Sequence, residues 1–507
     1  MKPLSVVILA AGSGTRMKSE LPKVLHPMCG RPMIAYALDL AAASGIKQPV
    51  VILGESAEQI QSHLPKEVKI VIQSKPLGTG NAVLLAKRAV GVSGDVLVLY
   101  ADTPLLRRTT IQRLIESHHR TNATCTLLTT HLADPTGYGR LLREATGEIV
   151  GIAEEAEATA IQRAIREINV GPICVRAQAL FDVLARVQPG QAKKEMYLTQ
   201  AINLLAKEPG TKFQAVRLEM AMEGLGVNSQ HEMAKATAII RQRIIDSHLN
   251  NGVTIVDPQM TYIDHGVSIG HDTIIHPGTV IESGVSIGRR CSIGPFARLR
   301  RGVALADEVQ VGNFVELVRT KVGTRVRMNH MTYLGDTTVE EEVNIGAGTI
   351  TANYDGTRKS PTVIGKGAFI GCDTVLVAPV TVGSGAVTGA GAVIPKGHDV
   401  PARGVVVGIP ARPLGKAGGP AHPLEKSEPP IRKQAVKKPV KKKPVKKKPA
   451  RKPAKRPSRP KRSTRPKRPT RRARPTRPRR KARRVAKRPI RKASKTRRAR
   501  PTVKRRR

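Results

Sequence analysis

The sequence has few cysteines and no long apolar run. Its five cysteines lie far apart, with no C-x-x-C pair and no Cys/His cluster: Cys29, Cys125, Cys174, Cys291 and Cys372. That spacing argues against a zinc site and a disulfide framework, and it favours a reducing compartment. No apolar run approaches the ~20 residues of a membrane span, and the strand after Lys2 is too short for a signal-peptide core. We therefore expect a cytoplasmic protein with no membrane span.

Acidic and aromatic residues are both absent from the last segment, 431–507. This segment holds 41 of the 87 Lys and Arg residues, which leaves 46 basic against 38 acidic residues in the rest of the chain. The net charge of +49 therefore belongs mainly to the tail, and the body has an ordinary balance. Because residues 431–507 have almost nothing to bury, we expect them to be disordered, after a linker over 414–430.

A glycine-rich string, Leu9-Ala-Ala-Gly-Ser-Gly-Thr-Arg-Met17, follows a short apolar strand near the N-terminus. It lacks the third glycine of the dinucleotide fingerprint and the Gly-Lys-Ser/Thr of a P-loop. Glycines permit a tight turn, so amide N–H groups can approach a phosphate, and Arg16 and Lys23 add two cations. Gly-x-Gly after a strand is by itself more often only a turn. The whole string predicts a polyphosphate site.

Strand-like and helical patterns alternate up to about residue 228. Buried strands are predicted at 50–53, 68–72 and 96–99, and helices at 80–90 and 110–118. This alternation indicates a Rossmann-like, doubly wound α/β domain, in which ligands bind at the carboxyl ends of the strands. Gly12 and Asp102 both follow such strand ends, so we expect them to face one crevice. A helix over 229–250 should then lead to the next domain.

A six-residue repeat replaces this pattern in the second half of the chain. Aliphatic residues occupy every sixth position from Ile263 to Leu317, and shifted frames continue to Ile394. This period fits neither a helix nor an ordinary strand, and it predicts a parallel β-helix over 251–413 whose stacked aliphatics fill the axis. A polar loop at 351–360 interrupts the ladder, and such loops often carry binding residues.

The combined motifs resemble the bifunctional bacterial family of N-acetylglucosamine-1-phosphate uridylyltransferase/glucosamine-1-phosphate N-acetyltransferase. The resemblance spans about residues 5–395, where the matching strings are LAAGSGTRM, LPKVLH, LGTGNA, DPTGYGR, EINVG, GVN, IGPFARLR, VGNFVE, HMTYLGD and NIGAGTITANYDG. It implies domains at 1–228 and 251–413, a left-handed β-helix and a homotrimer. It also implies synthesis of UDP-N-acetylglucosamine, a precursor of peptidoglycan and lipopolysaccharide.

The resemblance implies a first site that joins UTP to N-acetylglucosamine 1-phosphate and releases pyrophosphate. Asp102 and Asn228 match ligands of Mg²⁺, which prefers such oxygens together with phosphate and water. The matching nucleotide and sugar positions are Leu9, Ala10, Ala11, Gly12, Arg16, Lys23, Gln73, Gly78, Thr79, Tyr100, Gly139, Glu154 and Asn169. The sequence departs from the family at two positions. Ala101 replaces the usual Gly before the metal Asp, and Gln200 replaces the usual Asp after Thr199.

The resemblance implies a second site that transfers acetyl from acetyl-CoA to glucosamine 1-phosphate. His330 matches the general base, since an imidazole can accept a proton near neutral pH. Arg300, Tyr333, Asn344 and Lys359 match sugar-phosphate positions, and the acetyl-CoA positions are Ala347, Asn353, Tyr354, Cys372 and Ala390. Val318 replaces a phosphate-binding Lys, with Arg319 adjacent. Cys372 replaces a Ser of the family. The segment 407–412 lacks the family's usual arginine pattern, and Arg412 is the arginine present there.

Three functional readings remain open. The chain is a bifunctional enzyme, or it is a uridylyltransferase that uses the β-helix only as a trimer scaffold. His330 favours the first, while Val318 and Cys372 favour the second. In the third reading the tail, whose composition resembles linker-histone tails, binds DNA, RNA or other polyanions without sequence preference. The basic tail could instead bind an anionic membrane surface. It could also be a solvated extension with no dedicated partner.

Overall fold

A nine-stranded sheet forms the first half of the protein in this computed structural model, which describes residues 3–188 and 195–416. Its order is β11-β7-β10-β6-β1-β4-β5, with β8 on β10 and β9 on β8. Strands β5, β4, β1 and β6 run parallel, whereas β10 is antiparallel to β6 and β7. The strands, with a separate small hairpin β2–β3, are β1 Leu4–Ala10, β2 Pro27–Met28, β3 Arg31–Pro32, β4 Val50–Leu53, β5 Lys69–Ile72, β6 Asp95–Tyr100, β7 Cys125–His131, β8 Arg140–Arg143, β9 Ile149–Ala153, β10 Glu167–Arg176 and β11 Phe213–Arg217.

Helices cover both faces of this sheet, as the doubly wound prediction requires. Val7 and Val98 face one apolar cluster, while their neighbours Ile8 and Leu97 face another. The helix predicted over 80–90 is divided in two at Ala86, where the backbone turns between α3 and α4. The helices are α1 Ile34–Ala43, α2 Ala57–Gln61, α3 Thr79–Leu85, α4 Lys87–Val90, α5 Arg108–Thr121, α6 Ala160–Arg163, α7 Ala177–Leu184, α8 Leu198–Leu205 and α9 Gln230–Asn250.

Helix α9 connects the sheet to the second half of the chain. Ser229 caps it, since the Ser229 side chain accepts a hydrogen bond from the Glu232 N–H. Ile240 packs with the apolar cluster of the hairpin β2–β3, whereas Ile245 belongs to the core of the following repeats. The helix therefore packs against both halves of the chain.

The second half is a parallel β-helix with three stacked parallel sheets. Equivalent residues of successive coils pair directly, as Ile275 does with Ile293 and Ile293 with Val311. The first sheet holds Thr254–Ile255, Ile274–Ile275, Ser292–Ile293, Gln310–Asn313, Arg327–His330, Asn344–Ile345, Phe369–Ile370, Val387–Thr388, Gly404–Val407 and an antiparallel Arg412–Lys416. The second holds Tyr262–Ile263, Val280–Ile281, Arg298–Leu299, Glu316–Val318, Tyr333–Gly335, Ile350–Ala352, Val375–Val377 and Val393–Ile394. The third holds Ser268–Ile269, Ser286–Ile287, Ala304–Leu305, Lys321–Val322, Thr337–Val339, Thr362–Ile364 and Val380–Val382.

The hexad ladder forms the core of these coils, which confirms the β-helix prediction. Ile275, Ile293 and Leu317 are fully buried in one continuous apolar cluster. The Thr that replaces an aliphatic residue at position 388 is also buried, and its hydroxyl bonds with Thr374 at 2.9 Å and with the Gly371 N–H at 3.0 Å. The buried hydroxyl is therefore satisfied.

Two sequence predictions stay untested by this fold. The basic tail, 431–507, lies outside the described residues, as does the linker before it beyond residue 416. The boundaries 1–228, 229–250 and 251–413 likewise remain predictions. Among the residues that the structure describes, none of the helices has the length and apolarity to cross a bilayer.

Candidate functional sites

The glycine-rich loop closes one side of a cavity at the carboxyl end of β1. The cavity is lined by residues 10–13, 22–24 and 54–56, with Gln73. Gly14 has φ 64°, and a Cβ there would lie 2.8 Å from Cβ of Lys23, so this position needs glycine. A Cβ at Gly12 would meet nothing within 4 Å, so the loop leaves open space beside its backbone. Arg16 is exposed beside it.

Lys23 joins the loop to two oxygens from distant parts of the chain. Its Nζ donates to Oδ2 of Asp102 at 2.6 Å and to Oδ1 of Asn228 at 3.1 Å. The Val227 N–H donates to the Asp102 carbonyl, and the Asn228 N–H donates to Glu232, which fixes the backbone of both. One carboxylate and one amide oxygen thus converge on a single cation. This donor pair fits Mg²⁺ when phosphate oxygens supply further ligands.

Gln73, Gly78 and Thr79 lie together at the next strand end. The Gln73 amide donates to the Gly78 carbonyl at 3.0 Å and to Oδ1 of Asn81 at 2.9 Å, so its own oxygen remains as an acceptor. Gly78 has φ 95°, and a Cβ there would approach the carbonyl of Met196 to 2.4 Å. Thr79 accepts the Leu198 N–H at 3.0 Å. The segment 77–79 is therefore packed tightly against the start of α8.

The predicted sugar positions Gly139, Glu154 and Asn169 lie close to one another. The Asn169 N–H donates to the Gly139 carbonyl at 2.8 Å. Glu154 accepts a hydrogen bond from the Thr199 hydroxyl at 2.7 Å, and a Cβ at Gly139 would lie 3.7 Å from a Glu154 oxygen. Burial raises the pKa of Tyr100, and the negative charges of Asp102 and Glu154 raise it further. Tyr100 is thus near enough to both Asp102 and Glu154 to be affected by their charges.

His330 ends a strand of the first β-helix sheet, with its ring exposed. Its Nδ1 lies 3.1 Å from Oδ1 of Asn313, the residue paired with it on the preceding coil. When Nδ1 donates to that oxygen, Nε2 is the ring nitrogen left to accept a proton. The exposed His330 imidazole can therefore present an unoccupied acceptor nitrogen to solvent.

The predicted acetyl-CoA positions Ala347, Cys372 and Ala390 continue the same corner. The register that pairs Ile345 with Ile370 and Ile370 with Thr388 places the three on successive coils. The Asp373 N–H donates to the Ala347 carbonyl, and the Gly391 N–H to the Cys372 carbonyl, both at 2.7 Å. Cys372 is exposed and carries a free thiol. The corner beginning at His330 is thus an open edge of small residues.

Tyr333 and Asn353 meet above Gly335 on the second sheet. A Cβ at Gly335 would lie 2.6 Å from Nδ2 of Asn353 and 2.7 Å from the Tyr333 hydroxyl. Asn353 is buried, and its Nδ2 donates to Oδ2 of Asp336 at 2.5 Å. The absence of a side chain at 335 therefore lets two predicted binding groups lie side by side.

Arg319, the residue after Val318, forms an ion pair with Asp336. Its guanidinium is therefore already bound and is not free to take the place of the family's phosphate-binding lysine at position 318. Its guanidinium donates to Oδ1 at 2.5 Å and to Oδ2 at 2.7 Å. The Arg319 hydrogen bonds hold the pKa of Asp336 below its usual range. Val318 is 5% exposed, so little of the substituted side chain meets solvent. Asp336 thus connects Arg319 to Asn353.

The remaining predicted residues divide between the sheets. Arg300 donates to Glu316 at 3.1 Å on the second sheet, while Asn344 lies on the first. Lys359 and Tyr354 are exposed and form an isolated bridge across the loop at 351–360. Within the described residues, no hydrogen bond or ion pair joins His330 to Arg300, Asn344 or Lys359. Within one chain, the predicted residues of the acetyltransfer site therefore do not form one bonded cluster.

Four supporting residues were not predicted individually. Thr199 anchors Glu154, Asn313 orients His330, and Asp336 and Gly335 arrange Asn353. Asn313 lies in the VGNFVE string, and Gly335 and Asp336 lie in HMTYLGD. The signal available for Asn313, Gly335 and Asp336 was that each lies in a string that matches the family. Thr199 was mentioned only because its neighbour Gln200 departs from the family.

Two domain families match the chain. Residues 6–170 match the MobA-like NTP transferase domain, and residues 266–301 and 361–396 match the bacterial transferase hexapeptide of six repeats. The first segment contains Lys23 and most of the nine-stranded sheet, and the other two contain coils on either side of His330.

Full-length relatives match across both halves. The bifunctional protein GlmU of Pelotomaculum thermopropionicum is 43% identical over 411 residues, which cover 74% of this chain and 90% of that protein. The GlmU proteins of Syntrophotalea carbinolica and Listeria monocytogenes serotype 4a are 40% and 39% identical, each covering 78% of this chain and 93% of the relative. A solved UDP-glucose pyrophosphorylase in complex with UDP-glucose covers 47% of this chain with a TM-score of 0.40 and 17% identity.

Proposed function

Because this chain belongs to the GlmU family of bifunctional proteins, we infer that it makes UDP-N-acetylglucosamine in two reactions. The β-helix transfers acetyl from acetyl-CoA to the amine of glucosamine 1-phosphate. The N-terminal domain then transfers uridylyl from UTP to the N-acetylglucosamine 1-phosphate formed, and pyrophosphate leaves. The observation that carries the first-site assignment is the convergence of Asp102 and Asn228 on the Lys23 ammonium.

At the uridylyltransfer site, the loop amides and Arg16 would bind the triphosphate. The oxygen of Gln73, with its amide already committed to Gly78 and Asn81, suits the N3–H of uracil. Asp102 and Asn228 would hold Mg²⁺, which when bound neutralises phosphate charge and orients the reacting oxygens. Lys23 places a further cation beside the phosphates, where it stabilises the charge that develops as the sugar phosphate attacks the α-phosphorus.

The sugar would lie between the sheet and α8. Glu154, held by Thr199, and Asn169, held beside Gly139, supply a carboxylate and an amide for sugar hydroxyl and N-acetyl groups. Since both side chains are fixed by neighbours, they can orient the sugar phosphate without further reorganisation.

At the acetyltransfer site, Nε2 of His330 would take a proton from the attacking amine. The amine nitrogen bonds to the thioester carbonyl carbon, the C–S bond breaks, and the thiol of coenzyme A leaves. Asn313 holds Nδ1, which favours the tautomer that this step needs. Arg300, Tyr333, Asn344 and Lys359 would bind the sugar phosphate.

We propose a homotrimer because the acetyltransfer groups are divided within one chain. His330 and the small-residue corner lie on the first sheet side, whereas Tyr333 and Asn353 lie over Gly335 on the second. Neighbouring copies packed side by side would bring the two sets together. We also propose a cytoplasmic location, where UTP and acetyl-CoA are made and used.

The tail carries a separate proposal, non-specific binding of polyanions such as DNA or RNA. Its 41 cations would neutralise many phosphates, and without aromatic residues it would not stack on bases. Deletion of 431–507 should abolish DNA retardation at low salt and spare both activities. Retardation that survives the deletion, or that tolerates high salt, would contradict the proposal.

Product analysis tests the enzyme assignment directly. Full-length protein with UTP and N-acetylglucosamine 1-phosphate should form UDP-N-acetylglucosamine with Mg²⁺ and none after chelation. Thiol release from acetyl-CoA with glucosamine 1-phosphate should exceed that of His330→Ala by about 100-fold or more. Release no higher than in the variant would leave a uridylyltransferase with a scaffold domain.

A further inference from the structure

A second cavity, open to solvent, lies where α9 passes between the sheet and the first β-helix coil. Its volume is about 570 Å³, within the range of small-molecule sites. It shares no lining residue with the cavity beside the glycine-rich loop. One face of α9 supplies much of its wall, at positions 240, 243, 244, 247, 248 and 251. Leu106, Val267 and Ile269 add apolar surface from the two flanking segments.

Arg243 contributes an unbalanced positive charge to this cavity. Its guanidinium donates to the Leu105 carbonyl at 2.7 Å, and within the described residues it forms no ion pair. Burial lowers the pKa of Arg243, and the nearby Arg107 lowers it further against the opposing effect of Glu223. Glu223 itself is bound by Arg107 at 3.2 Å and by Thr110 at 2.6 Å. Glu223 is therefore held by Arg107 and Thr110, and it does not pair directly with Arg243.

His248 contributes a buried polar group with free hydrogen-bonding capacity. It is 9% exposed, lines the cavity, and has no side-chain hydrogen bond within the described residues. Burial lowers the pKa of His248, which favours the neutral ring with one donor and one acceptor. Neither ring nitrogen is among the buried atoms without a partner, so the imidazole is accessible from the cavity and available to a ligand atom.

Asp264 and His265 also line the cavity, and each has a polar neighbour. Asp264 accepts the Ser283 N–H at 3.2 Å and lies against Gly30, where a Cβ would be 2.6 Å from its Oδ2. His265 lies 3.2 Å from the Arg31 guanidinium, whose charge is paired with Asp39 at 2.6 Å. Arg243 is thus the cation that a ligand would find available.

We propose that this cavity binds a small amphipathic organic anion. Its carboxylate, sulfonate or phosphate group pairs with Arg243, whose planar guanidinium suits such oxygens, and reaches the His248 ring. Its apolar part covers Leu106, Ile240 and Ile244. The site is independent of the reactions assigned above and adds a ligand that neither reaction requires.

Fluorescence titration of the full-length protein with 8-anilinonaphthalene-1-sulfonate tests the proposal. We expect saturable binding at one site per chain, weakened about tenfold or more by Arg243→Met. Arg241→Met is the matched control, because Arg241 lies on the same helix but stacks over Tyr262 at 4.5 Å, outside the cavity wall. The neutral N-phenyl-1-naphthylamine should bind equally to wild type and Arg243→Met. Equal weakening of the sulfonate by both arginine variants would overturn the site.

A second variant guards against a folding defect in Arg243→Met. Ser247→Phe, at an exposed helix position on the wall, should fill the cavity and abolish binding of both probes. Its melting temperature and both enzyme activities should remain those of wild type. Undiminished probe binding would refute the site. A changed oligomeric state in size-exclusion chromatography would also refute it, because a second copy of the chain would then be the occupant.

Discussion

The ammonium of Lys23 lies 2.6 Å from a carboxylate oxygen of Asp102, and the same nitrogen contacts Asn228 at 3.1 Å. Lys23 therefore occupies the point where the two predicted metal ligands converge. A metal ion that binds these same two oxygens would displace the ammonium from them. We therefore predict that the lysine and a metal ion compete for Asp102 until a bound triphosphate accepts the lysine.

Replacing Lys23 should separate these two roles. Lys23→Gln removes the cation from Asp102, so Mn²⁺ binding to the substrate-free protein should tighten about threefold to tenfold. Uridylyltransfer should fall by about 100-fold or more, because the phosphates lose a cation. Electron paramagnetic resonance of free Mn²⁺ measures the first effect and pyrophosphate release the second.

Lys18→Gln provides the control for overall charge. Lys18 is an exposed lysine of the same loop. Mn²⁺ affinity that rises equally in both variants would indicate a general field effect and contradict the competition.

Removing the carboxylate should affect one activity and spare the other. Asp102→Asn keeps the shape of the side chain but weakens the hold on both Lys23 and Mg²⁺, so uridylyltransfer should fall by about 100-fold or more. Acetyltransfer, located on the β-helix, should stay within about twofold of wild type. Parallel assays of pyrophosphate and thiol release on one preparation measure both. A matching loss of the two activities would mean that the substitution disturbs the fold.

The two halves of the protein differ in how far their sequence predicts them. A six-residue period has one structural solution, so Ile275, Ile293 and Leu317 were placed in the core from spacing alone. Spacing does not bring Lys23 to Asp102 or Asn228, which are separated from it by 79 and 205 residues. Resemblance to a family grouped them. Neither the spacing nor the resemblance predicted the ion pair between Arg319 and Asp336. A contact between side chains on successive coils depends on their rotamers and not on periodicity.

A methyl group at position 335 should damage acetyltransfer more than stability. In Gly335→Ala the new Cβ would approach Asn353 to 2.6 Å and the Tyr333 hydroxyl to 2.7 Å. Both contacts are side-chain ends, which can move, so the melting temperature should fall by only a few degrees. Their displacement should lower acetyltransfer kcat/KM by about tenfold to 100-fold, while uridylyltransfer is unchanged. Wild-type acetyltransfer in this variant would place Tyr333 and Asn353 outside the site.

The role of Arg319 can be decided by which substrate it affects. If Arg319 acts by holding Asp336 and through it Asn353, Arg319→Met should raise the KM for acetyl-CoA about threefold to tenfold. The KM for glucosamine 1-phosphate should then change little. Arg325→Met is the control, because it removes a similar exposed pair, with Glu342 at 2.6 Å. A rise in the KM for glucosamine 1-phosphate instead would make Arg319 the replacement for the missing phosphate-binding lysine at 318.

Stability should fall on acidification because of a histidine buried in the N-terminal domain. His118 is 2% exposed, with Nδ1 2.9 Å from the Thr126 hydroxyl and Nε2 3.4 Å from Asp95. Burial lowers the pKa of His118, an effect that the charge of Asp95 only partly opposes. The unfolded chain therefore takes up the proton first as the pH falls through about 6.5. The stabilisation is complete above that pH and is lost as the pH falls toward the folded-state pKa.

His118→Gln should flatten this pH dependence. The variant loses the Thr126 contact and should melt lower than wild type at pH 7.5, where the imidazole is neutral in both states. Between pH 6.5 and 5.5 its melting temperature should drop less than that of wild type, as measured by differential scanning calorimetry. His248 and His265, whose pKa values burial also lowers, should keep a residual slope. The exposed His271, changed to Gln, is the control and should leave the wild-type slope intact. An identical slope in His118→Gln and wild type would show that the proton taken up on unfolding belongs to another group.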